Sequence, residues 1–569
     1  MTTVTASNAL LQQMLQDGIE VVFGNPGTTE ESFLDALTDF PRMRYVTGLQ
    51  ESIVVAMADG FARVTGKPGV IQIHSAVGLG NAMAMLYQAH RSFTPLVAFL
   101  CEVSLADEGY DGFLCGDVVE MARPVTKWSA RVTDPNQLLR LWRRAVKVAL
   151  TPPRGPVFLS FPMDILDAAI EPDIRPLTIV DWHSAPSSGT VDAIAGYLIK
   201  AADPLILIGD GVALANARDE VRRLSELIAA PVYGVDYADP NASFRDPLFM
   251  GLIGHTFGAQ TMRITSEKDV VLSVGTPLFP ELFPFHGPYF REGAKLIQID
   301  TNPWELGKNF HADVAVEADP KQALSAIIDA VNGRLEGTDM SAIASRREKW
   351  VRRKQEMRET RQRSLSSTHN KGVFSVSEMC QAIAESIPPG TLVFDEFITS
   401  TDELIHYLQP DGDGSYYLGR GGCIGVGIPG AIGAKVALPD RPVLSTSGDG
   451  SALFVIQALW TAVNQKLDMV FVIANNHAYR ILKVNLLHYW ADRKVQARAF
   501  PYMDLTDPKV NFTAIAEGFG AKGQKATDAQ ELSEALTRAF RTRGVHVIDV
   551  EVDGSVTEET RDLIRAHSP

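Results

Sequence analysis

Three times along its 569 residues the chain repeats one alternation, in which short β-branched apolar runs are separated by longer stretches with helical spacing. Residues 1–185 hold VVFG (21–24), GVIQIH (69–74), PLVAFL (95–100) and PVFLSFP (156–162). Residues 186–335 hold PLILIGDG, PVYGV, DVVLSVG and AKLIQID, and residues 371–569 hold TLVFDE, PVLSTSGDG, DMVFVIANN and VHVIDVEV. Continuously apolar strands that alternate with helices imply parallel sheets covered on both faces. The expectation is an α/β protein of three doubly wound parallel-sheet domains: 1–185, 186–335 and 371–569. A chain this long exceeds what one core supports, and a domain takes ~100–200 residues. The segment 336–370 contains SRREKWVRRKQEMRETRQRS, whose mixed charges and few apolar positions predict a solvated helix and connector without a site.

The net charge of −15 and pI of about 5.3 argue against nucleic acid or an anionic membrane as the main partner. The four cysteines, Cys101, Cys115, Cys380 and Cys423, form no CxxC pair and suggest neither a zinc site nor a disulfide framework. The opening MTTVTASNALLQQMLQDG lacks a basic start followed by an apolar core, and no apolar run reaches the ~18 residues of a membrane span. The cytoplasm is the expected compartment.

Ligands of open parallel sheets bind beyond the carboxyl ends of the strands. That places Thr28, His74, His286, Asp395, Asp449 and Asn476 in view. In PVLSTSGDGSALF a strand runs into glycines, Asp449 stands at the sheet edge, and the helix SALFVIQALWTAVNQ follows. The next strand, DMVFVIA, delivers Asn475 and Asn476. A carboxylate and an amide oxygen at neighbouring strand ends suit a hard divalent cation such as Mg²⁺, which takes its remaining ligands from phosphates and water. Either motif alone reads first as a tight turn or a strand-end cap. Gly425-Val-Gly427-Ile-Pro-Gly430 fits a dinucleotide fingerprint formally, but a glycine-rich loop precedes it and Pro429 interrupts it, so no dinucleotide is expected there.

The pairing of GDG with NN across residues 451–474 resembles the cofactor anchor of the thiamine-diphosphate (ThDP) 2-oxo acid decarboxylase and acetolactate synthase superfamily. The stretch RYVTGLQESIVVAMADGFARVTGKPGV resembles that family's glutamate motif and points to Glu51, which otherwise would be an ordinary dipole partner at a helix N-terminus. VVFGNPGTTEESF, HSAVGLGNAM, ARPVTKWS and GSYYLGRGGCIGVGIPGAIGA follow in the order found in benzoylformate decarboxylases, so the resemblance covers nearly the whole chain. It implies a pyrimidine-binding (PYR) domain at 1–185, a central Rossmann-like domain, and a diphosphate-binding (PP) domain at 371–569.

The resemblance further implies cofactors and roles. ThDP and Mg²⁺ are the cofactors, and Asp449, Asn476 and Ala478 are the metal ligands. Glu51 would activate the aminopyrimidine. Thr28, where the relatives have serine, and His74 would hold the substrate carboxylate and supply protons. His286 would serve product release. Ile424 would wedge the cofactor into its bent form, with Ile398, Thr399, Gly422, Gly450 and Ser451 at diphosphate-contacting positions and Cys423 replacing a glycine. His74 and His286 each have a plainer reading as core or surface residues, and His255 and His477 are expected to be structural or pocket-lining. The implied reaction is non-oxidative decarboxylation of a 2-oxo acid, expected to be aromatic, to an aldehyde and CO₂. The alternatives are a ThDP carboligase or lyase, and a ThDP-binding scaffold without turnover. The match fades after Asn476, and Asn485 stands where the relatives place a pocket phenylalanine, so a more polar or larger substrate stays open. A flavin in the central domain is also left open. Sites shared between subunits make a homodimer the minimum unit, and a homotetramer is expected.

Overall fold

The computed structural model describes residues 3–239, 242–335, 340–366, 374–412, 414–496 and 498–556. Three parallel six-stranded sheets organise them. The first contains β1 (Val21–Gly24), β2 (Arg44–Thr47), β3 (Gly69–His74), β4 (Leu96–Glu102), β5 (Trp128–Arg131) and β6 (Val157–Pro162), in the order β2-β1-β3-β4-β6-β5. The second contains β7 (Pro204–Ile208), β8 (Val232–Val235), β9 (Phe249–Ile253), β10 (Val270–Val274), β11 (Lys295–Asp300) and β12 (Val314–Glu317), in the order β9-β8-β7-β10-β11-β12. The third contains β13 (Leu392–Glu396), β14 (Tyr416–Leu418), β15 (Val443–Gly448), β16 (Met469–Asn475), β17 (Lys522–Ala526) and β18 (Val545–Glu551), in the order β14-β13-β15-β16-β18-β17. Every residue of β4, β6 and β16 is buried, which is why these strands read as unbroken apolar runs.

The first and third sheets share one strand order, and the central sheet has the 3-2-1-4-5-6 order of dinucleotide-binding folds. At its switch point, between β7 and β10, lies a cavity of about 360 Å³ lined by Asp210, Gly275 and Asp300, with Arg63 and Arg420 entering from the flanking domains.

The first and third domains share a core. Ile53 and Met57 of the Glu51–Thr65 helix pack in one cluster with Phe394, Ile428 and Ile432. The Gly427–Ala437 helix crosses the Glu51–Thr65 helix at backbone contact. A Cβ on Gly433 would lie 1.8 Å from the Met57 carbonyl oxygen, and one on Gly60 would lie 2.0 Å from that of Gly430. The third glycine of the apparent dinucleotide fingerprint therefore serves a helix crossing.

Two elements differ from expectation. The charged connector forms one helix, Ser341–Ser366, that is docked as well as solvated; its expected ends at 336–339 and 367–370 lie outside the described residues. Trp350 and Met357 pack on the central domain, and the Lys268 ammonium sits 4.3 Å from the Trp350 ring centroid. Arg346 donates to the carbonyls of Ala201 (3.0 Å) and Ala202 (3.1 Å), and Lys354 to that of Phe244 (2.8 Å). Long charged side chains dock here through their stems and by capping exposed carbonyls. The helix after Asp449 is broken at Ile456–Gln457 into Asp449–Val455 and Ala458–Asn464, a break that no glycine or proline in the sequence marks. Among the described residues no helix is long and apolar enough to cross a membrane.

Candidate active site

Glu51 opens the Glu51–Thr65 helix just after β2, with the Gln50 side chain accepting the Ser52 N–H at 2.7 Å. The carboxylate is 5% exposed and held from both sides: Oε1 accepts from Asn25 Nδ2 at 3.0 Å and Oε2 from Asn81 Nδ2 at 2.9 Å. Two amide donors fix its orientation and leave lone pairs for a further donor. Neither asparagine was marked by the sequence reading, because both bonds join residues far apart in the chain.

His74 ends β3 and precedes the Ser75–Arg91 helix. Its Nδ1 lies 2.9 Å from Oε2 of Glu30, which is fully buried, and 3.3 Å from Thr29 Oγ1. Glu30 Oε1 also accepts from Thr29 Oγ1 (2.9 Å) and the Cys101 N–H (3.2 Å). Burial raises the Glu30 carboxyl above its ordinary value although His74, Thr29 and Cys101 all favour the anion. Ionised Glu30 can only accept, so Nδ1–H donates to it and Nε2 is left free of this pair. The Asn-Pro-Gly turn closes over this ring: a Cβ on Gly27 would lie 2.0 Å from His74 Nδ1. Thr28, beside it, is exposed at the start of a 3₁₀ turn. Glu30 is a partner of His74 that the sequence reading missed, its burial being invisible in an acidic turn.

Asp449 heads the Asp449–Val455 helix after β15 and is 3% exposed. Its Oδ2 and the Oδ1 of Asn476 accept the same N–H, that of Ala478, at 3.2 and 3.0 Å. The Asp449 and Asn476 side chains thus come together from strands that are neighbours in the sheet. Burial pushes the Asp449 carboxyl up to about 6, partly offset by the N–H groups of Gly450, Ala478 and His477. Two hard oxygens converging in a poorly solvated pocket fit a divalent cation. Asn475 is not part of the pair: its Nδ2 donates to Asp549 at 3.0 Å inside the sheet.

Three non-glycine residues at or next to the expected site residues have left-handed backbones: Ser75 (φ 50°), Ile398 (φ 58°) and His477 (φ 55°). Such strain costs ~1–3 kcal/mol each and persists where surroundings over-determine it. Ile398 and Thr399 are half-buried in the turn after β13, and Ile424 is half-buried and Gly422 exposed in the loop after β14. Gly450 and Ser451 are buried in the first turn after Asp449.

Other candidates are placed differently. Asp395 lies inside β13 and is used up by Tyr416 (2.6 Å), Thr446 (2.6 Å) and the Phe397 N–H (2.9 Å). His286 does not directly follow a strand: it is exposed in the middle of the long connection between β10 and β11. That connection also carries Phe283, which stacks on Phe257 (5.4 Å), and Phe257 packs on His488 (4.9 Å) of the Arg480–Asp492 helix. The His286 loop therefore borders the helix holding Asn485, whose Oδ1 is buried and has no hydrogen-bond partner among the described residues. His255 bonds Asp236 and stacks on Tyr237 at 3.7 Å, tying the ends of β8 and β9 together, and His477 Nε2 lies 3.4 Å from Glu551.

Family comparison matches the N-terminal TPP binding domain of thiamine pyrophosphate enzymes at residues 4–121, their central domain at 191–327 and their C-terminal TPP binding domain at 399–550. The chain belongs to the thiamine-diphosphate 2-oxo acid decarboxylase and acetolactate synthase superfamily. This ThDP enzyme is 28% identical to benzoylformate decarboxylase of Pseudomonas aeruginosa over 96% of the chain and 98% of the relative. It is 26% identical to a probable acetolactate synthase large subunit of Methanocaldococcus jannaschii over 96% of the chain and 92% of the relative. The solved ThDP-dependent 4-hydroxybenzoylformate decarboxylase of Rhodococcus jostii RHA1 superposes with a TM-score of 0.83 at 27% identity, covering 97% of this chain and 99% of that one.

Proposed function

We propose that this ThDP enzyme decarboxylates a 2-oxo acid of the benzoylformate class, with Mg²⁺ held by Asp449, Asn476 and Ala478, and releases the aldehyde and CO₂. The observation that carries the reading is the His74–Glu30 pair: a partly exposed imidazole at a strand end, with its tautomer set by a buried carboxylate. When bound, the cofactor's thiazolium accepts the electron pair released as CO₂ leaves. Glu51, oriented by Asn25 and Asn81, would hold a proton toward the aminopyrimidine of a bound cofactor. His74 Nε2 and the Thr28 hydroxyl bind the substrate carboxylate and pass protons at the reacting carbon. His286 completes the proton traffic from its exposed loop.

Among the described residues no hydrogen bond joins Glu51 to Asp449 or Asn476, and both domains expose large apolar side chains. Leu49 (43%), Val77 (60%) and Tyr87 (46%) lie near Glu51 and His74 in the sequence, and Phe454 (56%), Leu482 (44%) and Tyr489 (50%) lie near Asp449 and Asn476. Apolar surface of this kind marks an interaction face. It supports a homodimer, assembled further into a tetramer, in which one subunit's Glu51 domain meets the other's Asp449 domain.

A second reading, transfer of the acyl group to another carbonyl, is favoured by the unpartnered Asn485 oxygen, which would accept a donor from a polar substrate. The deciding assay is ThDP- and Mg²⁺-dependent CO₂ release from benzoylformate with benzaldehyde measured in the same tube. Stoichiometric benzaldehyde is the expected result. CO₂ accompanied by a C–C bonded product would favour the second reading. No release from protein shown to bind ThDP would remove benzoylformate as the substrate.

A further inference from the structure

The loop between β14 and the Gly427–Ala437 helix carries Cys423 and Ile424, and it is held on both sides of them. Before Ile424, the side-chain oxygen of Gln88, from the N-terminal domain, accepts the Cys423 N–H at 3.2 Å. After it, three successive amides converge on one carboxylate: Gly425 (2.7 Å), Val426 (3.1 Å) and Gly427 (2.9 Å) donate to Glu396. Glu396 is the last residue of β13 and 4% exposed. Burial pushes its carboxyl up to about 7 against the pull of those three N–H groups. Gly425 has φ 93°, a left-handed backbone that the converging bonds hold in place.

The same carboxylate is in register with the metal cradle. Glu396 pairs with Ser447 of β15, two residues before Asp449. A rigid ladder therefore links the residue that grips the loop to the strand that delivers Asp449. A buried carboxylate with all its bonds on the backbone flanking one side chain has little role other than to fix that side chain's place. Among the described residues the Glu396 carboxylate hydrogen-bonds only to the Gly425, Val426 and Gly427 amides.

We propose that Glu396 is a positioning residue: it locks the Gly425–Gly427 backbone so that Ile424 stands at a fixed place relative to the Asp449–Asn476 cradle, and the bound cofactor is thereby held in one conformation. The proposal rests on the reading of Ile424 as a cofactor-contacting residue.

The first test needs no cofactor. In the wild-type protein without ThDP, amide exchange at 425–427 is expected to be slower than at the neighbouring Gly421 and Gly422 by about 10²-fold or more, as for hydrogen bonds that open only with the surrounding core. Unprotected amides would overturn the proposal. In Glu396→Gln that protection is lost, because the carboxamide sets its own N–H groups against backbone donors. In the reconstituted variant, exchange of the cofactor's C2 proton for deuterium slows by about 10²-fold, the scale of a ~1 Å misplacement. Ile424→Ala separates the two ideas. It should slow C2 exchange while leaving the 425–427 amides protected. If it leaves C2 exchange unchanged, the reading of Ile424 fails. If it slows exchange but E396Q does not, Glu396 has no positioning role. Should E396Q not fold, Glu396→Asp, which keeps the anion but cannot span three amides, carries the same two readouts.

Discussion

His74 is presented to the site by a residue that never reaches the surface. Glu30 is fully buried, takes the Nδ1 side of the ring and is itself held by Thr29 and the Cys101 N–H. In Glu30→Gln the carboxamide oxygen can still accept from Nδ1, but the anion that stabilises a protonated ring is gone. Turnover is expected to fall by about 10²-fold, the usual weight of an acid–base group, read as kcat with KM changing less. Stability should move the other way. The folded Glu30 carboxyl is raised above the 4.5 of a free glutamate, so the folded chain holds its proton more tightly than the unfolded chain. That contribution to stability is largest at low pH and is lost as pH rises from about 4.5 through the folded value. The cofactor-free variant should therefore melt above wild type at neutral pH and level with it near that lower limit. Equal melting at every pH would show that the buried charge costs nothing. Glu51, Asp449 and Asn476 were legible in the sequence because each sits at a strand end inside a local motif. Glu30, Asn25 and Asn81 were not, because their roles depend on contacts between segments that a single sequence leaves unpaired.

The crossing of the Glu51–Thr65 and Gly427–Ala437 helices sets where the Glu51 domain sits on the domain that carries Asp449. The helix opened by Glu51 was legible in the sequence, but the one at Gly427–Ala437, with its glycines and Pro429, was not. Nor was it legible that they meet face to face, since both are apolar around most of their circumference. The contacts opposing a side chain at Gly60 and Gly433 are backbone oxygens, which have no rotamer to move into. Gly433→Val should force the helices apart and cost about 3 kcal/mol or more, measured by urea unfolding. Gly333, in the Pro320–Leu335 helix with open space around it, is the control. Gly333→Ala should be neutral or stabilising by ~0.5–1 kcal/mol. A similar loss at both positions would mean that the crossing is not the weak point. The charged helix Ser341–Ser366 shows the opposite limit of pattern reading. Its composition predicts solvent on all sides, yet Trp350 and the stems of Arg346 and Lys354 are enough to dock it.

At the scale of the whole chain the three sheets were legible from their apolar runs, whereas the identical strand order of the first and third was not, because topology leaves no periodic trace in sequence. What joins the three domains was also hidden. Arg63 from the first and Arg420 from the third both reach Asp239 of the central domain, and Arg420 also pairs with Asp210. The Arg63 side chain is 3% exposed and that of Arg420 is 7% exposed. Arg63 also donates to the Leu418 carbonyl at 2.9 Å, at the start of the loop that carries Ile424. Burial alone would raise the Asp239 carboxyl, yet Arg420 and Arg63 hold it below its ordinary 3.8. Its contribution is therefore complete at neutral pH and is lost only as pH falls below about 3.8 through the folded value. Asp239→Asn leaves Arg420 with Asp210 and Arg63 with the buried Asp59 at 3.7 Å, each guanidinium short of one carboxylate. Breaking a buried pair from one side costs about 3 kcal/mol or more. The loss should appear first as uncoupling: in urea, fluorescence of Trp304 and Trp350 in and beside the central domain should report unfolding before ThDP binding is lost, where wild type shows one transition. An unchanged single transition with an unchanged midpoint would mean that the shared apolar core, and not this ion cluster, holds the three domains together.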